Sequence, residues 1–315
     1  MHEKQTIDPD IYTSLDALGR LKYRAGGFRF SPRQPINSIL AGRNVSKLRG
    51  RGLNFEEMRQ YQVGDDIRTM DWKVTVRTGK PHVKVYTEER ERKVLLLVDQ
   101  RSSMFFGSTG KMKSVIASEV AALIAWNTLE ATDKIGALIF NDFESKTLLP
   151  KRSHKQVSSI LSELVRYNHN LPINKTVNAP SESLAKLLSK AQRVAKNNTL
   201  VILISDCYGW NDQCLQSMKT ISQHNDFVCC HVTDPLEHSL VSMPQMVVTD
   251  GELQIKIDTD KNAIKQSFEN DVVRAIDEFL KAAKKYRVPL LPFNTIDDSV
   301  KQLRQSFGAN PGIRG

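Results

Sequence analysis

Residues 94–98 form a continuous apolar run, VLLLV, that is followed directly by Asp99. A run of this length without polar alternation is typical of a strand buried on both faces, as in a parallel sheet. Open sheets of this kind bind ligands at the carboxyl ends of their strands. The position of Asp99 therefore predicts a functional site at the end of this strand.

Strand-like and helix-like segments alternate through the rest of the chain. Predicted strands cover residues 94–98, 135–140, 200–205, 227–232 and 288–293, and predicted helices cover residues 111–130, 154–167, 181–196, 213–224 and 263–286. This alternation predicts an α/β fold in which a mostly parallel sheet has helices on both faces. Asp250-Gly251 lies between two β-branched runs in residues 245–257 and predicts an additional hairpin.

The residues before the first buried strand differ in pattern, so we predict a division into residues 1–92 and 93–315. Apolar side chains at helical spacing predict a short helix within residues 8–24, and the Gly-, Pro- and Arg-rich residues 25–55 predict a loop. The segment LNFEEMRQYQ predicts a short helical turn, and DWKVTVRTG and PHVKVYTEE together predict a β-hairpin. We expect this region to pack on the main domain.

Positive charge is concentrated near the N-terminus. Residues 20–93 carry 18 Lys and Arg against 8 Asp and Glu, an excess equal to the net charge of +10 for the whole chain. Such a segment favours an acidic surface, a nucleic acid or a phosphate group as partner, or it is a solvated basic face without a dedicated partner. A nucleic-acid-binding protein that uses the basic residues 20–51 is therefore one candidate function.

Composition and patterning argue against membrane and secreted classes. No apolar stretch approaches the roughly 20 residues that span a bilayer, and the first residues lack the apolar segment of a signal peptide. The four cysteines include no CxxC pair, which is typical of reduced thiols. We expect a cytoplasmic protein.

Two acids, Asp99 and Asp206, each follow a buried strand. If these strands are neighbours, the two carboxylates and Ser103 can supply the oxygen ligands that Mg²⁺ prefers. Alternatively, each acid caps the helix that starts just after it. Residues 107–114, GSTGKMKS, lack the spacing of a phosphate loop, so we do not expect nucleotide binding there.

These residues carry a family resemblance. Asp99, Ser103, a loop Thr that Thr176 matches best, and Asp206 resemble the D-x-S-x-S, Thr and Asp ligands of the metal-ion-dependent adhesion site in von Willebrand factor A-like domains. The upstream segment RGRGLNFEEMRQYQVGDDIRTMDWKVTVRTGKPHVKVYTEERERKVLLLVD resembles the signature of a bacterial family, domain of unknown function 58. The resemblance implies a Rossmann-like von Willebrand A domain from about residue 93 onward, and a partner among the MoxR-type AAA+ ATPases.

The chain departs from the metal-site pattern at one position, where Arg101 stands in place of the first Ser. A guanidinium is a permanent cation without an acceptor, so it cannot ligate Mg²⁺ or Mn²⁺. We predict that Arg101 forms an ion pair with Asp99 or Asp206 and replaces the charge of the metal. The alternative is that Arg101 turns into solvent and a weakened metal site remains.

A second acidic cluster lies upstream, in a motif that is also a mark of the family: Tyr61, Gly64, Asp65, Asp66, Arg68, Asp71 and Trp72. Its three carboxylates could bind a cation or act as acid and base. Such a run is more often a turn whose acids accept backbone hydrogen bonds and pair with arginines. We therefore interpret the motif as structural, with Tyr61 and Trp72 packed beneath the turn. A metal-dependent hydrolase centred there is a further alternative.

The resemblance implies a non-enzymatic interaction module that acts with a MoxR-type ATPase on client proteins. Because Arg101 replaces a ligand Ser, we expect that the module requires no cofactor, with Mg²⁺ or Mn²⁺ binding as the alternative. We expect its binding surface to be the loops at the carboxyl ends of the strands, residues 99–110, 174–181 and 206–212. In this hypothesis Arg101 and Ser102 contact the partner, with Arg101 offering its charge to an acidic group.

Overall fold

A computed structural model describes residues 8–26, 53–63, 65–88, 92–171, 180–238, 246–249, 254–257 and 279–307. The chain forms two compact units. The larger unit combines Met1–Arg33 with Arg92–Gly315, and the smaller unit is Gln34–Glu91.

The elements are numbered in chain order. The strands are β1 (Leu53–Gln60), β2 (His82–Glu88), β3 (Lys93–Asp99), β4 (Lys134–Phe140), β5 (Ser145–Lys151), β6 (Thr199–Ser205), β7 (Asp226–Thr233), β8 (Met246–Thr249), β9 (Gln254–Ile257) and β10 (Leu290–Asn294). The helices are α1 (Leu15–Arg20), α2 (Trp72–Thr78), α3 (Lys113–Glu130), α4 (His154–His169), α5 (Pro180–Val194), α6 (Asp212–His224), α7 (Pro235–His238), α8 (residues 279–285) and α9 (Ser299–Phe307).

The larger unit is built on a six-stranded sheet in the order β10-β7-β6-β3-β4-β5. Five strands are parallel and β5 runs antiparallel at one edge. All five predicted strands are therefore confirmed within a few residues, whereas β5 was missed. Its sequence, SKTLLPK, contains Pro150 and is only half-buried, so it lacks the continuous apolar run that marks the inner strands.

Helices cover both faces of this sheet, as predicted. Val94, Leu96 and Val98 point to one face, where they pack with α3, α4 and α9. Leu95 and Leu97 point to the opposite face, where they pack with α5, α6 and α8. Because successive side chains of a strand alternate between faces, β3 contributes to both cores, which is why its sequence is apolar throughout.

The order of strands places a switch point beside β3. After β3 the chain adds β4 and β5 on one side, and it then crosses to add β6, β7 and β10 on the other. The loops that leave β3 and β6 consequently diverge from two adjacent strand ends, which is the location where open α/β sheets bind ligands.

The first residues belong to the larger unit, contrary to a boundary that groups all of residues 1–92. The predicted helix within residues 8–24 is α1 followed by a 3-10 turn from Leu21 to Arg24. Leu18 is fully buried in the core, and its carbonyl accepts a hydrogen bond from Trp126 Nε1 of α3. Apolar contacts thus attach this segment to α3 and α4, which cover one face of the main sheet.

The smaller unit corrects two predictions. The segment LNFEEMRQYQ is not a helical turn, because it contains strand β1, which pairs antiparallel with β2. Trp72–Thr78 is not the first strand of a hairpin but helix α2. Asp71 caps its N-terminus by accepting hydrogen bonds from the backbone N–H groups of Lys73 and Val74, and Gly79 ends it with φ 68°. The caps at Asp71 and Gly79 stabilise a helix more than the β-branched residues between them favour a strand.

The hairpin predicted from Asp250-Gly251 is confirmed by the antiparallel pair of β8 and β9. Of the predicted helix 263–286, the described part is α8, and most of the predicted loop 25–55 lies outside the described residues. Within the described part of the chain, no helix has the length and apolar character needed to cross a membrane.

Candidate functional site

The carboxyl ends of β3 and β6 bring Asp99 and Asp206 together. The two strands pair in parallel, with Val98 opposite Ile204. The guanidinium of Arg101 reaches both acids: its Nη2 atom lies 2.7 Å from Asp99 Oδ2 and 3.6 Å from Asp206 Oδ1. The ion pair predicted from the sequence is therefore present.

Arg101 is held on several sides and has no exposed surface. Its Nε donates to Asp99 Oδ1 at 3.0 Å, and its Nη1 donates to the carbonyl of Tyr208 at 3.0 Å. The ring of Phe140 lies 5.7 Å from the guanidinium carbon. Burial by itself would lower the pKa of Arg101, but the carboxylates of Asp99, Asp206 and Asp142 together raise it, with Asp99 contributing most, so the side chain remains a fixed cation.

A second buried cation, Lys113, completes the site. Its Nζ atom donates to Asp206 Oδ2 at 2.9 Å and also to Glu237, and its side chain is only 2% exposed. Burial opposes the charge of Asp206, but Lys113 first and Arg101 second hold the pKa of that carboxyl far below its usual range. Asp206 is therefore ionised between two cations.

Sequence reasoning missed Lys113 and Glu237. Lys113 belongs to the GSTGKMKS segment, whose spacing argues against a phosphate loop and indicates no other site. The signal in the sequence is a lysine at the first residue of a largely apolar helix, α3, which starts at the carboxyl edge of the sheet. Glu237 lies on the short helix α7 and is 124 residues distant from Lys113, so no local pattern links them.

The residues proposed as ligands do not fit a divalent cation between Asp99 and Asp206. Both oxygens of Asp99 accept bonds from Arg101, and Ser205 Oγ donates to Asp99 Oδ2 at 2.6 Å. Asp206 is bonded to Lys113. Ser103 Oγ is buried without a hydrogen-bond partner, and Thr176 lies outside the described residues. Two protein cations, Arg101 and Lys113, are thus bonded to the carboxylates that the sequence suggested as metal ligands.

The loop that follows β4 contributes Asp142. One oxygen of its carboxylate accepts the backbone N–H of Ser102 at 2.7 Å, and burial raises the pKa of Asp142. This contact connects the loops after β3 and β4. Ser102 is partly exposed, whereas Arg101, which we expected to offer its charge to an acidic partner, has no exposed surface.

Another buried carboxylate, Asp234, holds the outer part of the loop after β3. It accepts hydrogen bonds from the backbone N–H and the hydroxyl of Ser108, at 2.9 and 2.5 Å. The hydroxyl of Thr295, just after β10, donates to the same carboxylate at 2.7 Å. Loops from β3, β7 and β10 are therefore fastened together at this edge.

Large apolar side chains are exposed around the same edge. They are Phe106 after β3, Phe143 after β4, Tyr208 after β6 and Ile296 after β10. Phe143 is 59% exposed and Tyr208 is 54% exposed. We call these four residues the rim. The sequence places each of them after a predicted strand, but burial could not be read from that position.

In the smaller unit, the acids of the second cluster make structural contacts. Asp65 pairs with Arg59 at 2.8 Å, and Asp66 accepts the backbone N–H of Arg68. Asp71 caps α2 and pairs with Lys84 at 2.8 Å. These bonds lower the pKa of Asp65, chiefly through Arg59, and of Asp71, chiefly through Lys84.

The two aromatic residues of that cluster differ from each other. Trp72 is 63% exposed and does not pack beneath the turn as expected, because it occupies the first turn of α2, whereas Tyr61 is half-buried. Gly64 lies outside the described residues, as do residues 27–51 of the basic segment invoked for nucleic-acid binding.

Comparison with known proteins assigns the family. Residues 57–277 match the family described as "Protein of unknown function DUF58", which covers more than half of the chain. The chain belongs to the DUF58 family. The matched range contains the five residues of the central ion-pair cluster, Asp99, Arg101, Lys113, Asp206 and Glu237.

The curated relatives that this chain matches include proteins described as uncharacterized. Over 223 residues the chain is 28% identical to uncharacterized protein Rv1480 of Mycobacterium tuberculosis and to uncharacterized protein Mb1516 of Mycobacterium bovis. In each case 70% of this chain and 67% of the relative are aligned. Among solved structures, the chain is similar to conserved hypothetical protein BatB of Bacteroides thetaiotaomicron, with 13% identity and a TM-score of 0.39. That match covers 68% of this chain and 95% of the other.

Proposed function

We propose that this DUF58 chain is a non-enzymatic protein-interaction module, with a von Willebrand A-like, Rossmann-like domain whose metal-ion-dependent adhesion site contains a built-in cation. In this proposal it acts in the bacterial cytoplasm with a MoxR-type AAA+ ATPase in the maturation or remodelling of client proteins. The ATPase partnership comes from the family resemblance of the sequence. The docking face is the edge that carries the rim.

The observation that carries the proposal is the buried guanidinium of Arg101 between Asp99 and Asp206. A metal that polarises a substrate needs an open coordination position and oxygen ligands around it. Here both carboxylates are engaged by protein cations, and an arginine has no acceptor with which to hold a metal. The charge is neutralised internally, which favours a rigid supporting structure beneath a docking surface over a reaction centre.

The rim supports the same proposal. Aromatic side chains are enriched at the centres of protein interfaces, because they bury a large area at a small cost in conformational entropy. Phe143 and Tyr208 are exposed on the loops after β4 and β6, and both loops are hydrogen-bonded to the loop after β3 through Asp142 and the carbonyl of Tyr208. A preorganised apolar surface of this kind loses little freedom when a partner binds.

Binding to the MoxR-type ATPase of the source organism tests the proposal. The full chain and the purified ATPase are mixed with nucleotide and examined by size-exclusion chromatography and biolayer interferometry. We expect a complex that the double variant Phe143→Ser, Tyr208→Ser weakens by at least about tenfold, since interface aromatics often contribute more than 1 kcal/mol each.

Leu149→Ser is the matched control. Leu149 is also 59% exposed but lies on β5, away from the rim loops, so its replacement should leave the affinity unchanged. Absence of a complex with any MoxR-type ATPase of that organism, or equal affinity of the rim variant and the wild type, would overturn the proposal.

A further inference from the structure

Helix α2 of the smaller unit is held against the start of β2 by one of its faces. The backbone N–H of Asp71 donates to the carbonyl of His82 at 2.9 Å, and the backbone N–H of His82 donates to Thr75 Oγ1 at 3.0 Å. The hydroxyl of Thr78 lies 3.2 Å from Nδ1 of the same histidine. Thr75 and Thr78 therefore mark the inner face of the helix, together with the half-buried Val74.

The opposite face of α2 carries two stripes of exposed side chains. Trp72 and Val76 are one turn apart, and they are 63% and 83% exposed. Lys73 and Arg77 are likewise one turn apart and exposed. Because side chains four residues apart on a helix are neighbours, an apolar stripe lies beside a cationic stripe on a helix about 10 Å long. We call these four residues the outer face.

The aspartates near α2 are engaged elsewhere in the smaller unit. Asp65 pairs with Arg59, and Asp71 pairs with Lys84. Asp66 is exposed, but its carboxylate caps the 3-10 turn before α2. None of these three carboxylates forms an ion pair with the outer face.

The glutamates of the β1–β2 hairpin are positioned further away. Glu57 pairs with Val85 and Glu88 pairs with Leu53, three and six residues along the hairpin from His82. At the rise of a β-strand these separations are about 10 and 20 Å. The hairpin therefore does not place its acids next to α2.

The cations of the outer face are not neutralised in this way. In the part of the chain that the structure describes, Lys73, Arg77 and Lys80 have no ion-pair partner. Lys80 is exposed and follows Gly79, which ends α2, so it adds to the positive charge at that end. The outer face thus combines exposed apolar surface with uncompensated positive charge.

Charge and apolar area decide between the possible occupants of this face. Residues 27–52, which lie outside the described residues, carry six basic residues and no acid, so like charge disfavours them. A membrane binds an amphipathic helix according to the apolar area that it buries, and two apolar side chains bury little. Single-stranded nucleic acid stacks on aromatic side chains, whereas here one aromatic residue stands beside an aliphatic one. A protein segment can supply both carboxylates and apolar side chains.

We infer that the outer face of α2 docks a protein segment in which Asp or Glu residues flank an apolar anchor. Trp72 and Val76 take the apolar anchor, and Lys73 and Arg77 pair with the flanking carboxylates. This surface goes beyond the proposed function, because it lies in the smaller unit and shares no residue with the rim.

Selection of random 12-residue peptides by phage display on the immobilised full chain tests this inference. Counter-selection on the variant Trp72→Ser restricts the peptides to those that need the outer face. We expect the enriched peptides to combine Asp or Glu with aromatic or aliphatic residues. In fluorescence anisotropy, the double variant Lys73→Glu, Arg77→Glu should bind these peptides at least about tenfold more weakly, and added salt should weaken binding to the wild type.

Lys155→Glu with Lys219→Glu is the matched charge control. Both lysines are exposed on helices of the larger unit, α4 and α6, so their reversal should change the affinity by less than about twofold. The variant Lys73→Gln, Arg77→Gln removes the charges without placing an acid in the last turn of α2, and it should also weaken binding. Circular dichroism and limited proteolysis check that each variant is folded.

The inference is overturned if no peptide depends on Trp72, if the enriched peptides lack an excess of acid, or if charge reversal leaves their affinity unchanged. A dT20 oligonucleotide or phosphatidylglycerol vesicles that bind more tightly than the peptides, through the same two cations, would also overturn it. Equal quenching of wild type and Trp72→Phe by acrylamide would show that the chain itself covers Trp72, with the same consequence. Since none of these outcomes involves the rim, the proposed function is tested separately.

Discussion

Replacement of Arg101 by Ser tests whether an internal cation has taken the place of a metal. Arg101→Ser removes the side-chain donors that pair with Asp99, a carboxylate with no exposed surface. The backbone N–H of residue 101 and the hydroxyl of Ser205 still donate to Asp99, but neither carries a charge. The substitution also creates oxygen ligands at alternate positions 99, 101 and 103.

Removal of one partner from a buried ion pair costs about 3–5 kcal/mol, because the remaining charge is left uncompensated. In a domain of this size, each kcal/mol shifts the melting temperature by roughly 2–4 °C, so a decrease on the order of 10 °C is expected. If the variant binds a divalent ion with a Kd of about 0.1 mM, then about 10 mM MgCl₂ or MnCl₂ restores about 2.7 kcal/mol.

Differential scanning fluorimetry with and without these salts is the assay. We expect wild-type protein to respond little to either ion, whereas Arg101→Ser should melt earlier and recover much of the loss when metal is added. Arg166→Ser is the matched control, since Arg166 forms ion pairs on the surface and its loss should cost less than about 1 kcal/mol. The reasoning is refuted if Arg101→Ser is as stable as the wild type, or if metal stabilises the wild type as strongly as the variant.

Three further predictions concern other buried groups. Lys113→Met should lower the free energy of unfolding in urea by about 3 kcal/mol. A double-mutant cycle with Asp206→Asn should give a coupling energy above about 1 kcal/mol, and a coupling near zero would show that Lys113 and Asp206 do not form a stabilising ion pair. Burial lowers the pKa of His231 below its usual 6.5, so this residue takes up a proton in the unfolded chain before it does so in the folded chain as the pH falls. The free energy of unfolding should therefore decrease below pH 6.5, and it should decrease less in His231→Gln. Thermal melts at pH 7.5 and 5.5 measure the difference. Burial raises the pKa of Cys214 to about 11, so that thiol should react with Ellman's reagent rapidly only in guanidinium, and fast reaction in the native protein would contradict its burial.

The sequence by itself determined the inner strands of the larger unit and the ion pair between Asp99 and Arg101, which are only two residues apart. Strands β3, β4, β6 and β7 were predictable because a strand buried on both faces must be apolar throughout, whereas the edge strand β10 was predictable only from the apolar residues of its own segment. The ion pair of Arg101 with Asp99 was predictable because residues two apart on an extended segment point to the same side. Both features depend on local geometry alone.

Where local signals compete, the prediction failed. The alternating valines in residues 72–78 indicated a strand, but Asp71 and Gly79 supply the caps of a helix. Strand β1 looked like a helical turn, and only its pairing with β2 makes it a strand. Short segments near the surface bury too little apolar area for one pattern to decide their structure.

Only the tertiary structure determined that Lys113 meets Asp206 and Glu237. Lys113 and Asp206 are 93 residues apart, and Lys113 and Glu237 are 124 apart. Their meeting depends on the strand order, which places β6 beside β3 and turns the loops after β3, β6 and β7 toward one edge. Apolar patterning specifies that a strand is buried but not which strand lies next to it. The order of the strands in the sheet therefore decides which loops meet at one edge, and with them which side chains form the site and the exposed rim.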